Sequence, residues 1–127
     1  MAAGVIFYIL FALFVKHLLI DFPFYSNYIC KNQKPDKSFL WSMHILFHGI
    51  ATFFILWLMV MPLWICLSLA CVDWVSHYMI DKIAIYCYEK YREDPVFAEK
   101  YYWVVDLDQY FHTLTYVVIA FLTLLLI

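Results

Sequence analysis

The hydrophobic and polar positions of this chain fall into long blocks rather than the alternating pattern of a β-strand. Apolar residues dominate positions 4–22, then 39–72, and again the last third of the chain. Phe39–Val72 contains no Asp, Glu, Lys or Arg, and as a single helix it would be about 50 Å long, against about 30 Å for a bilayer core. This segment therefore predicts two helices rather than one.

Prolines and polar stretches place the predicted boundaries. Pro62 cannot continue a helical hydrogen-bond ladder, so the long apolar segment is predicted to turn near Met61. Pro23 is predicted to stop the first helix, and Asp94 followed by Pro95 is typical of a helix start. The pattern indicates one all-α transmembrane domain, residues 1–127, built as an up-down four-helix bundle. Its predicted spans are residues 4–22, 38–60, 62–88 and 95–127.

The composition requires lipid around these helices. Of the 127 residues, 67% are hydrophobic and only 14% are charged, and the mean hydropathy is +0.81. A soluble domain of this size has too little interior for so many apolar side chains. Neither a basic stripe nor a glycine-rich phosphate loop accompanies the net charge of −2, so nucleic acid is not an expected partner.

Basic residues indicate the orientation in the membrane. They concentrate in the two polar connections, before the second and fourth spans, which lie on the same side of an up-down bundle. By the positive-inside rule we expect a multi-pass protein of the bacterial inner (cytoplasmic) membrane with both termini outside. Six of the eight basic residues lie in these connections: Lys31, Lys34, Lys37, Lys90, Arg92 and Lys100.

Ionisable residues recur four positions apart in all four predicted spans, and this spacing places each pair on one helix face. Counted from the cytoplasmic ends, every pair falls at a similar depth, so we expect a polar site inside the membrane. Lys16 and Lys82 are turned away and are predicted to extend to the headgroups, whereas Gly49 is predicted to allow close helix approach. The set comprises His17, Asp21, His44, His48, Asp73, His77, Asp81, Asp108 and His112.

Three interpretations of this set are open: a metal site, a proton- or ion-conducting relay, and a purely structural polar network. Each aspartate in a bilayer centre costs about 2.5 to 3.5 kcal/mol, and two divalent ions would neutralise four carboxylates. Imidazole and carboxylate ligands without thiolate favour Zn²⁺, with Mn²⁺ or Fe²⁺ as further candidates. We therefore predict one or two divalent ions bound by His17, Asp21, His44, His48, His77, Asp81 and His112.

Four motifs carry a resemblance to a known family: His17-Leu-Leu-Ile-Asp21-Phe22, His44 to His48-Gly49, His77 to Asp81-Lys82 and Asp108-Gln109-Tyr110-Phe111-His112. They resemble a family of small bacterial and phage membrane proteins catalogued as a domain of unknown function, over nearly the whole chain. A more distant likeness is to helical zinc-dependent phospholipase C and nuclease folds and to membrane-bound metal-dependent hydrolases. The distant likeness implies metal-dependent hydrolysis.

The leading expectation is a membrane-embedded, metal-dependent hydrolase. Because the site would lie below the headgroups, a lipid or lipid-linked ester or phosphoester is the expected substrate, and Asp73 or Asp108 is the predicted general base. A metal-ion or proton transporter is the alternative, and a membrane interaction protein with a stabilising metal site is a further one. Membrane lipid is an expected partner, and a second copy of the chain could help to cover four short spans.

Overall fold

The computed structural model describes residues 2–28, 39–91 and 97–127. Within these ranges the chain forms four α-helices and no strand, which confirms the predicted all-α class. Each helix contains a segment long and apolar enough to cross a membrane. The helices are α1 (Ala2–Tyr28), α2 (Phe39–Leu58), α3 (Leu63–Tyr91) and α4 (Phe97–Leu126).

The helices form a closed ring in which α1 and α3 each pack against both α2 and α4. An apolar core joins the first half of α1 and α3 to the second half of α2 and α4, as an up-down bundle requires. Large apolar side chains also cover the outside, including Leu19 and Phe121, which are more than half exposed. Such a surface is typical of helices that contact lipid. The core consists of Ile9, Leu13, Leu56, Ile65, Cys66, Leu69, Tyr116, Ile119 and Ala120.

The turn between α2 and α3 closes with a Schellman motif. The Met61 N–H donates to the carbonyl of Leu56 at 3.3 Å, and the Val60 N–H donates to that of Trp57 at 2.9 Å. Val60 therefore takes the left-handed position, with φ of 60°, which glycine usually occupies. The predicted break near Pro62 is confirmed.

The helix ends differ in part from the predicted ones. The expectation that Pro23 stops the first helix is wrong, because α1 continues to Tyr28. Proline removes only one hydrogen bond, to the carbonyl four residues earlier, so the turns on either side can still form. At the other polar connection α3 extends to Tyr91, and the predicted helix start at Asp94-Pro95 lies outside the described residues.

The prediction of close helix approach at Gly49 is confirmed. A Cβ atom built on this glycine would lie 3.0 Å from the Cβ of Trp74 and 3.5 Å from the carbonyl oxygen of Ala70. Because these atoms belong to or adjoin the α3 backbone, no side-chain rotation could make room. Gly49 thus lets α2 and α3 approach closely, next to the polar residue His48.

Candidate metal centre

Eight ionisable side chains from the four helices meet at one level of the bundle, and we call them the His/Asp cluster. Each helix contributes two residues four positions apart, so both point from one helix face into the bundle. Every imidazole directs its Nε2 atom toward a carboxylate of the group. All are buried except Asp81, which is partly exposed. The members are His17, Asp21, His44, His48, His77, Asp81, Asp108 and His112.

Asp21 lies among the histidines of three helices. Its Oδ1 atom is 2.9 Å from Nε2 of His48, 3.2 Å from Nε2 of His44 and 3.8 Å from Nε2 of His77. Its Oδ2 atom is 2.9 Å from Nε2 of His17, on the same helix. One carboxylate therefore contacts imidazoles of α1, α2 and α3 with its two oxygens.

Asp81 connects the histidines around Asp21 to those of α4. Its Oδ2 atom is 3.5 Å from Nε2 of both His44 and His77, whereas its Oδ1 atom is 3.0 Å from Nε2 of His112. Asp108 contacts the same imidazole from within α4, with 3.4 Å between its Oδ1 and Nε2 of His112. Asp81 thus has the position of a bridging carboxylate between two groups of donors.

The imidazoles also pack closely against one another. The ring centroids of His48 and His77 are 3.6 Å apart in a stacked arrangement, and those of His77 and His112 are 4.1 Å apart. Nε2 of His44 faces Nε2 of His77 at 3.3 Å. Either one ring donates its Nε2–H to the other ring, or a cation lies between the two lone pairs. The close packing of the rings brings several imidazole nitrogens together at one level of the bundle.

Three overlapping groups of donor atoms could hold a metal ion, and within each group the atoms lie within 4.8 Å of one another. For ligands about 2.1 Å from a tetrahedral ion, neighbouring donor atoms are about 3.4 Å apart. The distances of 2.9 to 3.8 Å between carboxylate oxygens and imidazole Nε2 atoms within these groups lie on either side of that value. The groups are Asp21, His44, His48 and His77; His17, His77 and His112; and Asp81, Asp108 and His112.

Asp73 lies apart from the cluster, one helical turn deeper. Its Oδ2 atom is 2.5 Å from Nζ of Lys16 and accepts a hydrogen bond from the Thr52 hydroxyl. Lys16 also donates to Thr52 at 3.0 Å and lies 4.7 Å from the ring centroid of Tyr116. The expectation that Lys16 extends to the headgroups is wrong, because its side chain is only 3% exposed. Lys82 is exposed, as predicted.

Two residues contact His17 through hydrogen bonds, although the sequence did not assign them to the site. The Tyr116 hydroxyl is 2.8 Å from Nδ1 of His17, and Oε1 of Gln109 is 3.0 Å from its Nε2. Gln109 also donates from Nε2 to Oδ2 of Asp108 at 3.2 Å. Tyr116 follows His112 by four positions and so continues the same helix face, which is the sequence signal that could have identified it.

The fold and the cluster define a multi-pass membrane protein with a buried histidine and aspartate site that could hold metal. Residues 9–127 match the family described as "Protein of unknown function (DUF3307)", so the chain belongs to that family. This confirms the resemblance to a family of unknown function. No curated protein and no solved structure matches the chain.

Proposed function

We propose that this protein is a metal-dependent hydrolase whose reaction site is the His/Asp cluster, with two divalent ions, preferably Zn²⁺ and otherwise Mn²⁺ or Fe²⁺. The observation that carries the proposal is the convergence of eight side chains of metal-ligand type, from all four helices, at distances that suit coordination. A purely structural network would not require so many imidazole Nε2 atoms to face the same few carboxylates. The proposed substrate is a lipid or lipid-linked ester or phosphoester.

The donor groups suggest a division of the ligands between the two ions. Asp21, His44 and His48 would hold one ion, and Asp108 and His112 the other. Asp81 reaches both groups with its two oxygens, and His77 and His17 stand between them. Bound ions of this kind make a coordinated water nucleophilic near neutral pH.

Of the two aspartates considered as general base, Asp108 has the better position. It contacts His112 of the cluster and the neighbouring Gln109, whereas Asp73 is hydrogen-bonded to Lys16 and Thr52 one turn away. A base must be within hydrogen-bond reach of the proton that it accepts. We therefore assign no catalytic role to Asp73, and we assign proton transfer to the Asp108 carboxylate oxygen that does not bind the ion.

The apolar half of the bundle supports a site over a transport pathway. On the side of the cluster away from the polar connections, Leu13, Leu56 and Ile119 are fully buried in one apolar core. The hydroxyl of Thr123, which lies deep in that half, donates to the carbonyl of Ile119 on its own helix. A proton or metal-ion relay needs polar groups that continue across the membrane.

Metal analysis of the purified full-length protein in mild detergent tests the binding step. We expect about two transition-metal ions per chain, and we expect Asp108→Asn to lower that content. Asp106→Asn is the matched control, because Asp106 is two positions away on α4 and exposed. Absence of bound metal from the wild-type protein, together with unchanged folding of His77→Ala, would refute the proposal.

Hydrolysis is tested on the same preparations, with fluorogenic carboxylic ester and phosphodiester lipids in bicelles. Activity should disappear with a chelator, return with Zn²⁺, and be lost in Asp108→Asn but kept in Asp106→Asn. Metal-loaded protein that hydrolyses neither substrate would favour the structural alternative. Ion flux in proteoliposomes that is lost on Asp73→Asn would instead favour transport.

A further inference from the structure

A groove runs along the outside of the bundle between α2 and α3. Its volume is about 320 Å³, and none of the described residues that line it is charged. Gly49 lies at its base, where the two helix backbones approach closely. The other lining residues include Leu46 and Phe53 of α2, and Leu67, Cys71 and Trp74 of α3. Because most of these side chains are exposed, the groove is an apolar cleft that is open to the surrounding lipid.

The dimensions of the groove suit a single hydrocarbon chain better than another helix. Its lining on α2 covers residues 46–54, which is about 12 Å along the helix axis. Dividing the volume of about 320 Å³ by this length gives a mean cross-section of about 27 Å². An α-helix, with a diameter of about 10 Å, has a cross-section about three times as large. An acyl chain of a membrane lipid therefore fits the groove, whereas a helix of a second copy would cover the groove without filling it.

A lysine and two aromatic residues lie beyond the end of the groove that is nearer the polar connections. The exposed Lys82 ammonium donates to the Tyr78 hydroxyl at 2.9 Å and lies 5.2 Å from the centroid of the Tyr78 ring. Trp41 of α2 packs against the same tyrosine, with ring centroids 5.4 Å apart. Trp74, Tyr78 and Lys82 follow one another at steps of four and so share one face of α3. The groove and its cationic end therefore form one continuous surface, which we call the α2–α3 strip.

The α2–α3 strip matches the length and the charge of one anionic phospholipid. From Leu67 to Lys82 it extends about 22 Å along α3. Half of a bilayer, with its headgroup region, is about 20 to 22 Å thick. Tryptophan and tyrosine are typical of the headgroup level, and a lysine ammonium there attracts anionic lipid. A lipid with an acyl chain in the groove would therefore place its phosphate beside Lys82.

We propose that the α2–α3 strip binds one anionic phospholipid, with an acyl chain in the groove and the phosphate at Lys82. A zwitterionic lipid offers the same chain, but its own cationic group opposes the attraction to the lysine. The attraction of one lysine for anionic lipid corresponds to about a fivefold difference in affinity. This binding site lies outside the His/Asp cluster, and it requires neither bound metal nor hydrolysis.

Native mass spectrometry of the full-length protein in detergent tests the headgroup part of the proposal. The probes are dioleoyl phosphatidylglycerol, which is anionic, and dioleoyl phosphatidylcholine, which has the same chains but no net charge. We expect the first phosphatidylglycerol to bind about fivefold more tightly than the first phosphatidylcholine. Lys82→Gln should abolish this preference, whereas Lys82→Arg should keep it. Lys90→Gln is the matched control, because Lys90 is exposed on the same helix and also lies over a tyrosine ring, at 5.5 Å from that of Tyr91.

A substitution that fills the groove tests the position of the acyl chain. Cys71 is an exposed free cysteine within the groove. Cys71→Phe should weaken the binding of both lipids by a similar factor, because the added ring occupies the space of the chain. Val72→Phe is the control, since Val72 is the next residue along α3, is also exposed and lies outside the groove lining. This change should leave both affinities unaltered.

Three results would overturn the proposal. The first is equal affinity of the wild-type protein for the two lipids, or a preference that survives Lys82→Gln. The second is lipid binding that Cys71→Phe does not weaken. The third is a dimer that Cys71→Phe converts to monomers at unchanged lipid affinity, because the groove would then be an interface between two copies. None of these measurements involves metal or substrate, so their outcome is independent of the proposed hydrolase function.

Discussion

Tyr116 orients one of the proposed ligands from the layer below the cluster. Its buried hydroxyl is 2.8 Å from Nδ1 of His17, and a second partner of this kind fixes the ring and the tautomer of a metal-bound histidine. We expect Tyr116→Phe to weaken metal binding about 10- to 100-fold, as the loss of such partners does elsewhere. Competition with a chromogenic chelator would measure the change.

Tyr110→Phe is the control for this prediction, because Tyr110 lies on the same helix but is 60% exposed. Thermal unfolding of the metal-free proteins separates a positioning role from a structural one. If Tyr116 had only a structural role, Tyr116→Phe would lower the unfolding temperature without changing the metal affinity of the protein that stays folded. Equal metal affinity in Tyr116→Phe and Tyr110→Phe would refute the positioning role.

At the level of residues, the sequence predicted that the histidines and aspartates converge, but it did not predict the Lys16–Asp73 pair. Histidines and aspartates spaced by four in apolar segments are costly, so their pattern is visible without a structure. The prediction for Lys16 was wrong because the angle of a residue around its helix does not say how much of that helix surface the neighbouring helices cover. Thr52 could not be identified at all, since a threonine in a membrane helix can satisfy its hydroxyl on its own backbone.

At the level of elements, the turn between α2 and α3 contains strain that can be removed. Val60 has φ of 60° and a side chain that is 89% exposed. A left-handed conformation costs a residue with a Cβ about 1 to 2 kcal/mol, and glycine avoids this cost. We therefore expect Val60→Gly to stabilise the protein by about 1 kcal/mol, which unfolding with a denaturing detergent would measure.

Val117→Gly serves as the comparison, because Val117 lies in the interior of α4 with its side chain 46% exposed. Glycine in a helix interior costs up to about 1 kcal/mol, so this change should destabilise the protein. Opposite signs for the two valine substitutions are the expected result. A loss of stability in Val60→Gly comparable to that in Val117→Gly would show that the turn is not strained.

The same elements show what proline alone could and could not predict. Pro62 marked a real turn because it follows a capped helix end, where Met61 and Val60 already satisfy the last carbonyls. Pro23 was likewise predicted to end a helix, yet α1 continues past it to Tyr28. A proline thus indicates one missing hydrogen bond, and the surrounding turns decide whether the helix ends there.

At the level of the whole molecule, the bundle has two unlike halves. An apolar core fills the half near the α2–α3 turn, whereas the His/Asp cluster lies toward the ends joined by the polar connections. Sequence predicted this division, since depth follows from position along each helix. It could not predict which donor atoms meet, because the rotation of each helix is set by packing such as the Gly49 contact with Trp74.

The orientation of these halves in the membrane is the last prediction. Because six of the eight basic residues lie in or beside the two polar connections, we expect these connections inside the cell and the α2–α3 turn outside. In a background with the remaining cysteines replaced by alanine, Cys30 alone and Val60→Cys alone report the two sides. An impermeant maleimide on spheroplasts should label Val60→Cys at once, but Cys30 only after permeabilisation. The reverse pattern would place the cluster in the outer leaflet, where a substrate lipid would have to come from the outer surface.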